Sequence, residues 1–338
     1  MEDRISNLPD PILCHILSFL PTEEAIATSV LCKRWKPLWR SVPTLEFFCH
    51  SRFITTELFL QSVNVVILSR DQNQPIHKFQ LTYNFCDSVD PVNFELWVNT
   101  TVKRSLQHLH LYLRFHSCLT RPANLSSIFS CTTLVVLKLY QINLELEFKT
   151  LPKLLRTDIQ ISEHTYFLLK VVNNAKVLYL EIDDDIDEVT DPYFSSMFHN
   201  LTNVELVYRY HINDWSQIVK LLQHCPMLQD LVIKQPECCV LDSVQGGEVG
   251  DWKFPPSVPE CVLLHLKSCY LDDYRGTPDE FRFARYIMQN GRFLKRMTIC
   301  SYVEFQKVLE NGKETYQKDR FNCLKILFTI NLDDKQQQ

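Results

Sequence analysis

The chain has little glycine, no long uncharged apolar run and no strong excess of charge. With 6 Gly and 46% apolar residues among its 338 residues, it has the composition of a folded globular protein, which excludes a low-complexity chain. A formal net charge of −5, with dispersed Lys and Arg, provides no basic surface for nucleic acid. No apolar stretch is long enough to cross a membrane, and Met1 to Arg4 lack the features of a secretory signal. We therefore expect an intracellular protein, in the nucleus or the cytoplasm, with no nucleic-acid or membrane partner.

The cysteines do not predict a disulfide framework or a metal centre. Their number, 13, is odd, and none are spaced as Cys-x-x-Cys. In an intracellular chain, a free Cys usually behaves as a small buried apolar residue. The sequence therefore predicts reduced core thiols, with no metal and no cofactor.

Two short motifs imitate functional sites but fail on their spacing. The acidic run 183–188 resembles the start of a calcium loop, but its sixth position is Glu188 rather than Gly and its twelfth is Phe194 rather than Glu. A solvated acidic loop is expected there. His224 and Cys225 would pair as base and nucleophile only if they faced each other, and adjacent residues of a helix do not. We expect a core position at Cys225 and no catalytic residue in this chain.

Residues 5–40 predict three short helices with more apolar surface than so small a unit can bury. The first contains Pro11 near its start and ends before Pro21, and Thr22 is placed to cap the second. In the third, spanning 32–39, a spacing of four would place Trp35 and Trp39 on one face. Because a chain below about 40 residues rarely closes its own core, we expect part of this surface to contact a partner protein.

The same residues resemble a known family. The order Leu8-Pro9-Asp10-x-Ile12-Leu13-x-x-Ile16-Leu17-x-x-Leu20-Pro21, followed by Val30-x-Cys32-Lys33-Arg34-Trp35-x-x-Leu38-Trp39, is similar to an F-box, the module that binds the Skp adaptor of SCF ubiquitin ligases. The resemblance implies that the adaptor contacts are among twelve residues, some of which face the rest of the chain: Leu8, Pro9, Ile12, Leu13, Ile16, Leu17, Leu20, Pro21, Val30, Trp35, Leu38 and Trp39.

From residue 42 onward one template, apolar-x-x-apolar-x-apolar, recurs at intervals typical of leucine-rich repeats. Each copy predicts a short strand that sends alternate side chains into a core shared with the next copy. Five copies are clear and begin at Leu106, Leu134, Leu201, Leu228 and Leu294. Six are weaker and begin at Val42, Ile76, Leu154, Ala175, Leu266 and Phe321. The eleven copies together predict an α/β solenoid.

Helices are predicted between several of these strands. One follows Asp90-Pro91, and another begins after Asp214 and ends before Pro226. The strongest signal is Thr277-Pro278-Asp279-Glu280, which combines an N-cap, a Pro in the first turn and a capping-box Glu. Its predicted apolar face contains Phe281, Ala284, Ile287 and Met288, and Gly291 is placed to end the helix.

A second resemblance lies towards the C-terminus. The segments Trp252-Lys253-Phe254-Pro255-Pro256, Val258-Pro259-x-Cys261, His265-Leu266-Lys267 and Leu294-Lys295-Arg296-Met297-Thr298-Ile299 resemble the FBD domain of plant F-box/leucine-rich repeat proteins. The stretch from Leu134 to Ala175 is compact for that family, and the sequence after Tyr302 departs from it.

The expected fold is thus a three-helix F-box (1–41), a leucine-rich repeat horseshoe (42–251), an FBD-like cap (252–302), and a terminal repeat-like segment with a disordered tail (303–338). The resemblance implies a non-catalytic ubiquitin-ligase subunit that binds the Skp adaptor, through it a cullin scaffold, and an unknown target protein. Two alternatives stay open: a scaffold that binds the adaptor without delivering a target, and a small-molecule sensor with a pocket on the strand face.

Overall fold

The computed structural model describes residues 5, 7–49, 55–85, 92–115, 124–140, 151–161, 168–182, 196–210, 212, 215–235, 257–274, 276–304, 307–310, 313–316 and 323–331. The chain divides into two compact units, Met1–Gln160 and Ile161–Gln338. Within the described residues, no helix is both long and apolar enough to cross a membrane.

The first unit begins with an N-terminal helical segment, residues 5–42. Helix α1 (Asp10–Leu17) starts after Pro9, and α2 (Thr22–Ala27) starts after Pro21, since the fixed φ of proline suits the residues that flank a helix start. Two 3₁₀ turns follow, Thr28–Val30 and Leu38–Ser41. Thr22 does not cap α2 as predicted, because it is the first helical residue and its hydroxyl bonds elsewhere.

The predicted third helix at 32–39 is wrong. The segment is held by bonds from the N–H of one residue to the C=O three positions earlier: Trp35 to Cys32, Leu38 to Trp35, and Arg40 to Pro37. Pro37 lacks an N–H and would clash with the carbonyl of Lys33 in an α-helix, which favours the tighter turns. At three residues per turn, positions four apart lie about 120° apart. Trp35 and Trp39 therefore do not share a face.

The remainder of the first unit is a parallel sheet with helices between its strands. The strands are β1 (Thr44–Cys49), β2 (Lys78–Phe85), β3 (His108–Phe115), β4 (Val136–Tyr140) and β5 (Arg156–Ile161), which ends at the unit boundary. They pair in sequence order, each parallel to the next. Helices α3 (Thr56–Ser69) and α4 (Val92–Val102) and a 3₁₀ turn (Ser126–Ser130) connect the first four strands.

The core of this sheet is a pair of side-chain ladders. Two side-chain ladders cross the sheet, and the second lies two residues further along each strand than the first. The first ladder contains Leu45, Phe79, Leu109, Leu137 and Thr157. All of these side chains are buried, because alternate residues of a strand point to the same face. The second ladder contains Phe47, Leu81, Leu111, Leu139 and Ile159.

The second unit repeats this arrangement. Its parallel strands are β6 (Val177–Ile182), β7 (Asn203–Tyr208), β8 (Asp230–Lys234), β9 (Ser268–Leu271) and β10 (Arg296–Glu304). Its described helices are α5 (Leu168–Val171), α6 (Ser216–Gln223), α7 (Glu260–Leu264) and α8 (Pro278–Asn290). A hairpin of β11 (Lys307–Glu310) and β12 (Lys313–Tyr316) precedes β13 (Cys323–Asn331).

The repeat template places the strands accurately. Each of the first ten copies begins two residues before one of the strands β1 to β10. The eleventh copy, at Phe321, is wrong as a repeat, because β13 pairs antiparallel with β10. A parallel partner requires a crossover connection of a dozen or more residues, usually a helix, whereas this stretch contains a hairpin. The terminal segment therefore ends the sheet instead of extending the repeats.

Helix α8 confirms its predicted boundaries and corrects its predicted face. Thr277 and Glu280 form the reciprocal capping box, and Gly291 follows the last turn. However, Phe281 is 57% exposed, whereas Phe283 is fully buried and its ring centroid lies 4.8 Å from that of Trp215. Both residues are aromatic and flank the helix face, so hydropathy alone did not separate them.

These two phenylalanines give a matched test of the fold. We expect Phe283→Ala to lower the free energy of unfolding by about 3–5 kcal/mol, because it removes a fully buried ring. Phe281→Ala on the same helix should change it by less than about 0.5 kcal/mol. Urea denaturation followed by circular dichroism measures both values. An equal loss in the two variants would contradict the observed orientation of α8.

Candidate protein-docking site

Helix α1 has two apolar faces, and only one of them is covered. Leu13 and Leu17, four residues apart, point into the unit and are fully buried. Ile12 and Ile16 form a second pair with the same spacing, and both are exposed. Phe19, one turn further and 75% exposed, continues this outer stripe. An exposed apolar stripe on a helix marks a candidate protein-interaction surface.

The inner face packs on the rest of the N-terminal helical segment. Leu8, Cys14 and Leu20 lie partly buried against this core. The Cys14 thiol donates to the carbonyl of Leu38 at 3.6 Å, and burial raises its pKa. The core is Leu13, Leu17, Ala25, Trp35, Leu38 and Val42. It uses only part of the apolar content of the segment.

The uncovered part is called here the exposed apolar set: Ile5, Ile12, Ile16, Phe19, Val30 and Leu31. Val30 is 85% exposed, at the end of the 3₁₀ turn after α2, and Leu31 follows it directly. Large aliphatic and aromatic side chains on short helices are the usual anchors of a helix-in-groove interface. The set therefore provides the chemistry of a protein-docking surface.

The twelve residues predicted from the resemblance fall into three groups in the structure. Leu13, Leu17, Trp35 and Leu38 are buried within the unit. Pro9, Ile12, Ile16 and Val30 are exposed. The remaining four, Leu8, Leu20, Pro21 and Trp39, are partly buried.

Sequence reasoning missed Ile5, Phe19 and Leu31. The sequence did contain a signal for Phe19, because Ile12, Ile16 and Phe19 follow helical spacing and predict a second apolar stripe along α1 and the turn after it. Ile5 and Leu31 lie outside the regular helices, so periodicity gave no signal for them.

Polar contacts hold the N-terminal helical segment in place. Arg34 forms an ion pair with Asp10 at 2.7 Å and donates a hydrogen bond to the carbonyl oxygen of Leu8, which fixes the turn after α2 against the start of α1. The backbone N–H of Glu46 in β1 donates to the hydroxyl of Thr22 at 2.8 Å. A hydrogen bond therefore joins α2 directly to the first strand of the sheet.

Arg70, just after α3, connects the segment to the sheet. Its guanidinium is buried and donates to the carbonyl oxygen of Trp39 at 3.0 Å and to that of Val42. Burial and the nearby positive charge of Arg104 lower its pKa to about 10, so it stays charged at neutral pH. A charged donor fixed on two backbone carbonyls restricts the motion of the chain between the helices and β1.

The described residues offer no alternative chemical site at the positions singled out from sequence. No group of three or more His, Cys, Asp or Glu within them is placed to hold a metal ion. Burial, with a smaller contribution from Cys261, raises the pKa of the Cys225 thiol, so a nucleophilic thiolate is disfavoured there. His224 Nδ1 lies 2.8 Å from the carbonyl oxygen of Lys220. The acidic run 183–188 lies outside the described residues.

Comparison with known proteins gives two family matches. Residues 5–47 match the F-box domain, and residues 255–299 match FBD. The F-box/FBD/LRR-repeat protein At4g00160 of Arabidopsis thaliana is 27% identical, over 93% of this chain and 89% of its own length. The FBD-associated F-box protein At3g52670 of the same plant is 28% identical, over 93% of this chain and 92% of its own length. The F-box/LRR-repeat protein At4g14103, also of this plant, is 37% identical, over 55% of this chain and 50% of its own length.

The longest of these alignments shows that this chain is shorter than its relative over the matched region. The alignment with At4g00160 runs over 410 positions, more than the 338 residues of this chain, so the relative has segments that this chain lacks. In the structure, β4 and β5 start only 20 residues apart, whereas β1 and β2 start 34 apart. The compact stretch noted in the sequence is thus reflected in short strand spacing.

The role assigned to Arg70 is tested against Arg40, a nearby exposed arginine that lies over the Trp39 ring at 5.5 Å. We expect Arg70→Met to speed hydrogen exchange of the backbone amides at 35–47, because two carbonyls lose a charged donor worth roughly 1.5–3 kcal/mol each. Arg40→Met should leave exchange unchanged. Mass spectrometry measures both exchange rates. Equal rates in Arg70→Met and wild type would contradict the proposal that Arg70 restricts the motion of this part of the chain.

Proposed function

Because this chain carries an F-box domain and an FBD region and is related to the plant F-box/FBD/LRR-repeat proteins, we propose that it is a substrate-recognition subunit of an SCF-type ubiquitin ligase. Its F-box docks on a Skp-type adaptor, which connects it to a cullin scaffold. The repeats bind an unidentified target protein, and other subunits transfer the ubiquitin. In this proposal the chain performs no catalytic step and needs no cofactor.

The observation that carries the proposal is the exposed apolar set on the F-box. Ile12 and Ile16 occupy one side of α1 and Phe19 lies just beyond its end, while Leu13 and Leu17 fill the core on the other side. The internal core is therefore complete without the outer side chains, and burying them requires a second surface. Each large apolar side chain buried in such an interface contributes about 1.5–3 kcal/mol.

The site residues are proposed accordingly. Ile12, Ile16 and Val30, with Phe19 and Leu31 added from the structure, contact the adaptor. Pro9 borders the contact at the start of α1. The buried residues Leu13, Leu17, Trp35 and Leu38 act indirectly, because they hold the two helices and the turn in the arrangement that presents the contacts.

The mechanism is proximity. A target held by the repeats has its lysines at a high effective concentration near the transferring subunits, so that a bimolecular encounter becomes an intramolecular one. Arg70 and the bond between Thr22 and Glu46 support this role, because they restrict the movement of the F-box relative to the first strands. Restricted movement keeps the bound target in reach instead of averaging it over many positions.

The proposal includes the division of the chain into 1–41, 42–251, 252–302 and 303–338, the horseshoe form of the repeats, and residence in the nucleus or the cytoplasm.

Docking is tested with variants of the exposed apolar set. We expect Ile16→Ala/Val30→Ala to weaken binding of a Skp-type adaptor by at least about 30-fold, since interface anchors contribute about 2 kcal/mol or more. Calorimetry or a quantitative pulldown with the purified adaptor gives the affinity. Both residues are exposed, so the free protein should keep its circular dichroism spectrum and melting temperature.

The control is Leu68→Ala. Leu68 is an aliphatic residue on α3, 72% exposed, in the same unit but outside the F-box, and its removal should leave adaptor binding unchanged. Trp35→Ala is unsuitable because Trp35 belongs to the buried core. Wild-type affinity in the Ile16→Ala/Val30→Ala variant would rule out docking through this surface.

A further inference from the structure

The outward side chains of the first sheet form two rows across its strands, on the face opposite the apolar ladders. The second row lies two residues further along each strand than the first. Strand pairing thus brings together residues that are far apart in the sequence. The first row, called here the polar row, contains Glu46, Gln80, His110, Lys138 and Asp158. The second, called here the aromatic row, contains Phe48, Thr82, Tyr112 and Tyr140.

A pocket of about 470 Å³ lies where the two rows cross β2, β3 and β4. Its size falls within the range of ligand sites in proteins. Adjacent strands lie about 4.8 Å apart, so the pocket spans about 10 Å from β2 to β4. Its outward lining comes from all three strands: Gln80, Thr82, His110, Tyr112, Lys138 and Tyr140.

Two tyrosine rings provide the apolar surface of the pocket. The ring centroids of Tyr112 and Tyr140 lie 5.9 Å apart, and the ring planes are inclined at 42°. Both side chains are only partly buried, so part of each ring is open to a ligand. Tyrosine rings give a large contact area at a low cost in conformational entropy, because the side chain has few rotatable bonds.

The polar groups that the pocket leaves available are mainly hydrogen-bond donors. Gln80 Oε1 lies 3.3 Å from His110 Nδ1, which leaves the amide N–H groups of Gln80. Within the described part of the chain, those N–H groups and the hydroxyls of Thr82 and Tyr112 have no hydrogen-bond partner. A ligand that presents several carbonyl oxygens would pair with them.

The ionic groups around the pocket do not require a charged ligand. Lys138 lies 2.5 Å from Asp158, and Lys78, at the start of β2, forms an ion pair with Glu46. Each of these lysines therefore has a carboxylate partner. Burial and the nearby lysines lower the pKa of His110 to about 4, so its ring is neutral at pH 7. A neutral ligand suits these surroundings.

A proline-rich segment has the properties that this pocket complements. Proline has a carbonyl group and no N–H, so such a segment offers acceptors without matching donors. One turn of polyproline II contains three residues with a rise of about 3.1 Å each, which is close to the span of the pocket. Aromatic-lined surfaces bind this helix well, because it is already formed before binding and loses little entropy.

We propose that this pocket binds a proline-rich segment of the target protein in the polyproline II conformation. The proline rings pack on Tyr112 and Tyr140, and the carbonyl oxygens of the segment accept hydrogen bonds from Gln80, Thr82 and Tyr112. The inference rests on the proposed function in one respect only, namely that the ligand belongs to a target protein. Binding itself involves this chain alone and needs no adaptor.

Saturation-transfer NMR titration of the full chain tests the site with three end-blocked peptides: hexaproline, hexaglutamine and hexaglutamate. Hexaproline forms polyproline II, hexaglutamine is neutral but carries backbone N–H groups, and hexaglutamate is charged. We expect hexaproline to bind more tightly than the other two, with an affinity that added salt leaves unchanged, because the ligand is neutral. Absence of hexaproline binding, or equal or tighter binding of either other peptide, would overturn the assignment.

The aromatic contact is tested with Tyr112→Ala. We expect this variant to weaken hexaproline binding by about tenfold, since truncating a tyrosine anchor is among the costliest changes in an interface. The matched control is Tyr210→Ala. Tyr210 is 55% exposed in the second unit, and its removal should leave the affinity unchanged. An equal loss in both variants would show that hexaproline binds exposed tyrosines in general, and the pocket proposal would fail.

A second variant, Tyr112→Phe, keeps the test independent of the folding of Tyr112→Ala. It retains the ring and removes only the hydroxyl, which has no partner within the described residues. We expect hexaproline binding to weaken about two- to tenfold, the net contribution of one hydrogen bond. Unchanged affinity in Tyr112→Phe would contradict the proposed contacts.

The Ile16→Ala/Val30→Ala variant separates this inference from adaptor docking. It should bind hexaproline as the wild type does, because both changes lie on the F-box. Intact adaptor docking without hexaproline binding would contradict the pocket proposal alone. Hexaproline binding by a wild-type chain that fails to dock on the adaptor would contradict the proposed function and leave the pocket supported.

Discussion

Within each unit, the parallel strands depend on one constraint: the inward side chains of a strand are buried only when those of the next strand lie level with them. Leu45, Phe79, Leu109 and Leu137 satisfy this constraint in the first unit, and Leu178, Val204, Leu231 and Cys269 satisfy it in the second. No single strand and helix could close such a core. Register is therefore fixed across each sheet, and the outward residues are aligned as a consequence.

That alignment explains which features could be predicted from sequence. The apolar template recurs because each inward position must be filled, so strand starts followed directly from it. The capping box at Thr277 and Glu280 was equally readable, because both of its bonds are local. The polar row could not be predicted. Gln80, His110 and Lys138 are each one outward residue between two apolar ones, and only the register shows that they meet.

The N-terminal helical segment shows the opposite difficulty. Both faces of α1 are aliphatic, and Ile12 and Ile16 have the same spacing as Leu13 and Leu17. Hydropathy therefore identified the helix but did not say which stripe is inward. The turns at 32–41 depended on Pro37, whose effect on hydrogen bonding outweighed the four-residue spacing of the two tryptophans. The covalent structure of Pro37 determined the turns at 32–41, and tertiary packing determined which stripe of α1 is buried. Periodicity predicted neither.

The bond from Glu46 to Thr22 has a consequence for the sheet itself. β1 is the first strand of its sheet, and an uncovered first strand is a template on which another chain can add. Here α2 packs against β1, and a threonine hydroxyl accepts one of the N–H groups that such a strand would offer. The helices that carry the exposed apolar set therefore also cover the edge of the sheet and disfavour edge-to-edge aggregation. Loss of these helices would therefore expose the free edge of β1 as well as remove the exposed apolar set.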